Sequence, residues 1–119
     1  MRYQTRCVKI RLKPNSLDAV REWARTLNES RRAEALATLR DETVVFEAAF
    51  FDHTSEGDFL IYVMKAENFE RSEQAANLST HDIDQYHRRF KSETWDDRTQ
   101  LELLVDLDRI DEVTGTRAE

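Results

Sequence analysis

Apolar and polar residues alternate from Thr5 to Lys13, Pro14 stops the alternation, and from Leu17 the apolar spacing becomes helical. A change of period from two to about 3.6 marks the passage from a strand to a helix. The order in which such changes occur along the chain restricts the fold more than any single motif does.

Val8, Ile10 and Leu12 form the apolar side of the first strand, with Cys7, Lys9 and Arg11 on the other. Asn15 or Ser16 can cap the helix that follows, whose stripe is Leu17, Val20, Trp23, Ala24 and Leu27. Leu36 and Leu39 lie well round the wheel from that stripe, which predicts a break between Asn28 and Arg32 and a second helical piece through about Leu39. Thr43 to Phe51 and Phe59 to Ala66 are rich in β-branched and aromatic residues and read as strands two and three. The polar loop from Asp52 to Asp58, with one Gly, suits a hairpin between them. Asn68 caps a short helix. Ser79 to Asp82 opens another, carrying Ile83, Tyr86, His87 and Phe90 at helical spacing. Gln100 to Leu107 reads as the fourth strand, with Leu101, Leu103, Val105 and Leu107 on one face. Asp108 to Glu119 is a polar tail in which Ile110 and Val113 can dock a final turn. The order βαββαβ predicts an α+β, ferredoxin-like domain over residues 1–107: a four-stranded antiparallel sheet with helices on one face.

Composition narrows the function classes. The 119 residues hold 18 Lys and Arg against 24 Asp and Glu, a net charge of −6. That balance opposes non-specific nucleic-acid binding, which needs a basic patch. RNA-recognition modules share this fold and stack bases on sheet aromatics, but the outer face of strand one has none. No apolar run approaches the roughly 18 residues of a membrane helix. Met1 to Arg6 has no apolar core of a secretory signal, so a cytoplasmic location is expected. The single Cys7 leaves no internal disulfide and no multi-cysteine metal site.

The uncovered sheet face then decides function. Strand one sends Cys7, Lys9 and Arg11 there. Strand two, with its charge placed off the core, sends Val45, Glu47, Ala49 and Phe51; strand four sends Glu102 and Leu104. For strand three, Leu60, Tyr62 and Met64 are assigned outward because Tyr62 carries a polar tip, although Ile61 and Val63 fit the same position. A large apolar patch of this kind is seldom left in water. Two copies packed sheet to sheet give the simplest cover, so a homodimer is expected.

The runs Cys7 to Asn15, Leu39 to Phe51 and Asp58 to Glu67, with a long helix between the first two, resemble the dimeric α/β-barrel superfamily. That superfamily includes L-rhamnose mutarotases and antibiotic-biosynthesis-type monooxygenases. More narrowly, the chain is similar to an uncharacterised bacterial and archaeal domain family with this barrel. The resemblance spans about residues 5–107. It implies a homodimer whose two sheets share a barrel, and a small-molecule pocket between sheet and helices. Mutarotase relatives place a His on the first helix, where this chain has Trp23 and Arg25. Haem-degrading relatives use an Asn on the first strand, where this chain has Cys7 and Lys9. Neither catalytic set carries over.

The candidate chemistry is therefore built from the residues themselves. Lys9, Arg11, Glu47 and Glu102 can act as an anion-holding cation beside a general base, Glu47; a set of ion pairs inside a dimer accounts for the same residues. Tyr62 can donate to a substrate oxygen or simply satisfy its hydroxyl in the core. Cys7 is a nucleophile only if a neighbour such as Lys9 lowers its pKa, and otherwise a small buried thiol. His81, Asp84 and His87 share one side of a helix but lack further ligands, so no metal site is expected; His87 can line a pocket as acid or base, or sit partly exposed. Trp23 fits the helix stripe, and Trp95 falls in a connection where it can cover a pocket mouth or a dimer seam. The ligand-lining candidates are Lys9, Arg11, Glu47, Tyr62, Met64 and His87. The expected chemistry is proton transfer on an acidic small molecule, by isomerisation or cofactor-free oxidation, because no phosphate, nucleotide or metal motif is present. The alternative is a non-catalytic ligand-binding or structural homodimer.

Overall fold

β1 (Gln4–Leu12), α1 (Leu17–Arg25), α2 (Arg32–Asp41), β2 (Val44–Thr54), β3 (Gly57–Ala66), α3 (Phe69–Leu78), α4 (Asp82–Thr94), β4 (Trp95–Gln100) and α5 (Ile110–Thr114) follow one another in a computed structural model that describes residues 2–115. The strands form one antiparallel sheet in the order β2-β3-β1-β4, the split βαβ arrangement that the sequence predicts. Val8, Ile10 and Leu12 of β1 meet Val20 and Trp23 of α1 and Phe90 of α4 in the core. Trp23 and Phe90 stack with ring centroids 4.5 Å apart. The predicted helix break is real. α1 runs into a π-helical turn at Thr26–Ser30, and α2 starts anew after Arg31. The wide turn rotates the stripe, which is why Leu36 and Leu39 fall off the line set by Val20 and Trp23.

Two predictions need correction. The fourth strand is Trp95–Gln100, not Gln100 to Leu107. It pairs with β1 from Val8 opposite Gln100 to Leu12 opposite Trp95. α4 thus passes straight into β4, and Trp95 opens a strand rather than a connection. β4 exists because β1 offers it a ladder, not because its residues favour a strand. The alternating leucines beyond it find no partner strand within the described residues. Leu101 still donates its N–H to the Cys7 carbonyl at 2.8 Å, after which the chain to Arg109 is an exposed arm without regular structure. Lys65 holds the arm's far end through Asp106 and Asp108, each at 2.8 Å. Ile110 and Val113 fall in α5; residues 116–119 of the expected tail lie outside the described residues.

The facing of β2 and β3 is also reversed. Tyr62 lies opposite Val8 and Ala49, and Met64 opposite Arg6 and Glu47. Glu47, Ala49, Tyr62 and Met64 therefore point toward the helices. The pairing of β2 with β3 shifts between Val44 and Phe46, which lets Val44 and Glu47 face the same way. The uncovered face carries Phe46, Ala48 and Phe50 of β2 with Ile61 and Val63 of β3. On that face Lys9 and Arg11 cover the Phe59 ring at 4.4 and 4.7 Å.

Candidate functional site

The helices do not fill the space above the β2–β3 end of the sheet. A cavity of about 570 Å³ remains, walled by all four strands below, α1, its π-helical turn and α2 to one side, and α3 and α4 to the other. Its size falls in the range of small-molecule sites, roughly 300–1,000 Å³. Four of the predicted candidates line it: Glu47, Tyr62, Met64 and His87. Lys9 and Arg11 do not. They sit on the opposite face, engaged with Phe59, and Arg11 also donates to the Glu56 carbonyl at 2.8 Å. Glu102 lies on the exposed arm. The predicted four-residue charged cluster is thus divided between two faces and the arm. The site lies under the helices rather than on the open sheet face.

Glu47 and Tyr62 form the floor. Tyr62 donates its hydroxyl to the Glu47 carboxylate; burial and that negative charge push the phenol well above its ordinary range. Burial raises the Glu47 pKa, while the Tyr62 hydrogen bond and Lys91 pull it back. Glu42, absent from the predicted set, stands beside them at the C-terminal end of α2. Its pKa rises to about 7, first through burial, then through the negative charges of Asp84 and Glu47, against the opposing pull of Lys91. Its carbonyl accepts from Ser72 Oγ, which ties α2 to α3. Thr43, the next residue, takes φ 58°, an uncommon conformation for a β-branched residue and the kind of strain that collects at functional sites.

α4 supplies the opposite wall. Trp23 Nε1 donates to His87 Nδ1 at 3.2 Å, so the neutral ring carries its proton on Nε2. Burial, then the cations Lys91 and Arg88, lower the His87 pKa to about 4. Lys91, one helical turn on, lies over the Trp95 ring at 5.2 Å. Its pKa is lowered by burial and by Arg98. His87 and Lys91 share the i, i+4 spacing of one helix face, a signal that was present in the sequence. Glu42 gave none, because Asp41-Glu42 reads as a solvated turn. Among the described residues no group of three or more His, Cys, Asp or Glu is placed to hold a metal ion, and no helix is long and apolar enough to cross a membrane.

The site is thus a half-open, mixed apolar and charged cavity. It brings two carboxyls and a phenol together with Lys91, a neutral imidazole and Arg98, in an α+β protein with one antiparallel sheet. The chain belongs to the family of unknown function DUF6176, which it matches over residues 3–112. No curated protein matches it. Among solved structures it is similar to an uncharacterised NIPSNAP-like domain protein from Burkholderia xenovorans, 13% identical with a TM-score of 0.56, over 87% of this chain and 85% of that one. It is also similar to PA3566 from Pseudomonas aeruginosa, 17% identical, TM-score 0.52, over 85% and 93%. A third is a dimeric protein of unknown function and ferredoxin-like fold from Bacteroides fragilis, 16% identical, TM-score 0.51, over 83% and 92%. At these identities the likeness is one of fold, and that fold is ferredoxin-like.

Proposed function

We propose that the cavity binds a small molecule and moves a proton on it, so that the protein acts as a cofactor-free isomerase or oxygenase. One observation carries this reading: Glu42, with a pKa near 7, stands beside the hydrogen-bonded Glu47–Tyr62 pair in the wall of an open cavity. A base poised near the ambient pH gives the best product of protonation state and driving force. Glu42 takes the proton from an acidic carbon or hydroxyl. Tyr62 stays protonated and, when a ligand binds, turns its single O–H from Glu47 to the oxygen on which charge develops.

Exchange in heavy water tests this without knowledge of the full reaction. Small enolisable carbonyl acids are incubated with the protein in D2O, and deuterium entering the acidic carbon is followed by proton NMR. We expect catalysed exchange that rises with pH through about 7 and falls roughly a hundredfold or more in Glu42→Gln. Exchange equal in the parent and in both Glu42→Gln and Glu47→Gln would remove the catalytic reading and leave a binding protein.

We further infer that a second copy covers the open sheet face. Phe46 and Phe50 are 50% and 60% exposed there, and the dimeric relative from Bacteroides fragilis has the same fold. A non-catalytic, structural homodimer is the reading this face supports if the cavity proves inert.

A further inference from the structure

The β4–α4 end of the cavity gathers donors that have no acceptor. Trp95 Nε1 is buried and has no hydrogen-bond partner among the described residues. Lys91 and Arg98 line the same wall, close enough that Arg98 disfavours the Lys91 charge. Neither makes an ion pair within the described residues. Glu42 and Glu47 act on Lys91 through space without ion-pairing with it, Arg98 is exposed, and the buried Trp95 N–H stays unpartnered, so this wall has donors left over for a ligand. His87 adds an uncharged N–H to this wall, since Trp23 occupies its other nitrogen.

We propose that this wall is a carboxylate-binding subsite, and that the cavity's ligand is a small, flat monocarboxylic acid. The proposal rests on the ligand-binding reading above and gives it a substrate class. The guanidinium fork matches a planar carboxylate, and the Lys91 ammonium supplies a second charge-assisted bond. The Trp95 ring, already under Lys91, gives a flat scaffold a face to lie on. Glu42 and Glu47, whose charges also act on Lys91, would repel a phosphate dianion more than a monoanion. With its carboxylate held between Lys91 and Arg98, the ligand presents its remaining acidic hydrogen toward Glu42 and Tyr62.

The test is titration of the full chain by calorimetry and by 1H–15N NMR with three probes: 2-hydroxybenzoate, its neutral analogue 2-hydroxybenzamide, and inorganic phosphate. We expect the carboxylate to bind at least about tenfold more tightly than the amide, the scale of a charge-assisted hydrogen bond. The Trp95 indole N–H signal, assigned with Trp95→Phe, should shift downfield with the carboxylate. Lys91→Gln and Arg98→Gln should each lower carboxylate affinity roughly fivefold or more while leaving the amide unchanged, which also shows that both variants fold. Equal affinity for carboxylate and amide overturns the subsite and leaves the cavity reading intact. Phosphate binding as tight as the carboxylate overturns the substrate class. Failure of both aromatic probes to bind overturns the cavity reading and this proposal together.

Discussion

Glu42 and His87 pull the stability of the fold in opposite directions as pH changes. The Glu42 pKa goes from 4.5 to about 7 on folding, so the folded state binds more protons. Its contribution is fully present below about pH 4.5 and is lost as pH rises through 7. The His87 pKa falls from 6.5 to about 4, so its contribution is present above 6.5 and is lost as pH falls toward 4. Between 4.5 and 6.5 the two offset each other. Replacing Glu42 by Gln should remove one side of the balance. We expect Glu42→Gln to stabilise the protein by about 1–2 kcal/mol at pH 8, a figure discounted for partial solvent screening, and to leave it unchanged at pH 4. Urea denaturation at the two pH values measures this. A variant less stable than the parent at pH 8 would show that Glu42 is ionised at little cost. The residue types of the site were readable in part: a carboxylate, a phenol and an imidazole among apolar residues single out Glu47, Tyr62 and His87 in the sequence. Their common direction was not readable. A charged residue on a strand is assigned to solvent by default, and only the cavity makes the covered face habitable for Glu47.

Among the elements, the β2–β3 hairpin is the one that a single atom can strain. Gly57 has φ 133°, and a Cβ there would sit 2.9 Å from Arg11 Nη1. That guanidinium also holds the Glu56 carbonyl and covers Phe59. Gly57→Ala should therefore cost about 1–3 kcal/mol in stability. It should leave ligand binding in the cavity unchanged, because the contact lies on the other face of the sheet. Chemical denaturation together with the probe titration separates the two. β1 and α1 are legible because their own periodicities agree with their burial. β4 is not: Trp95–Gln100 carries one apolar side chain and is a strand only by pairing with β1. The more strand-like Leu101 to Leu107 has no ladder to join.

Among the described residues, exposed large apolar side chains gather on the open sheet face and the arm, with Leu36, Leu78 and Val113 scattered singly elsewhere. Leu104 and Leu107 of the arm are 82% and 89% exposed. The radius of gyration, 15.3 Å, exceeds the roughly 13.5 Å of a compact chain of this length. The second copy proposed above would account for the apolar content of the open face. Sedimentation at micromolar concentration should show a dimer, and Phe50→Asp or Ile61→Asp should split it, since an unpaired buried charge costs several kcal/mol. Leu60 and Met64, assigned to this face from sequence, point under the helices, so Met64→Asp should disturb the cavity and leave the dimer intact. A parent chain that sediments as a monomer would remove the dimer. Local periodicity was enough for the βαββαβ order, a helix break near Asn28 to Arg32 and the apolar side of β1, because each depends on neighbours within a turn or a strand. The side of the sheet to which β2 and β3 point, the identity of the fourth strand and the meeting of Glu42 with Glu47, Tyr62 and Lys91 depend on register. A one-residue slip turns every side chain of a strand over, and register is set by partners on other strands, across the hairpin for β2 with β3 and up to 92 residues away for β1 with β4, that leave no mark on the local pattern.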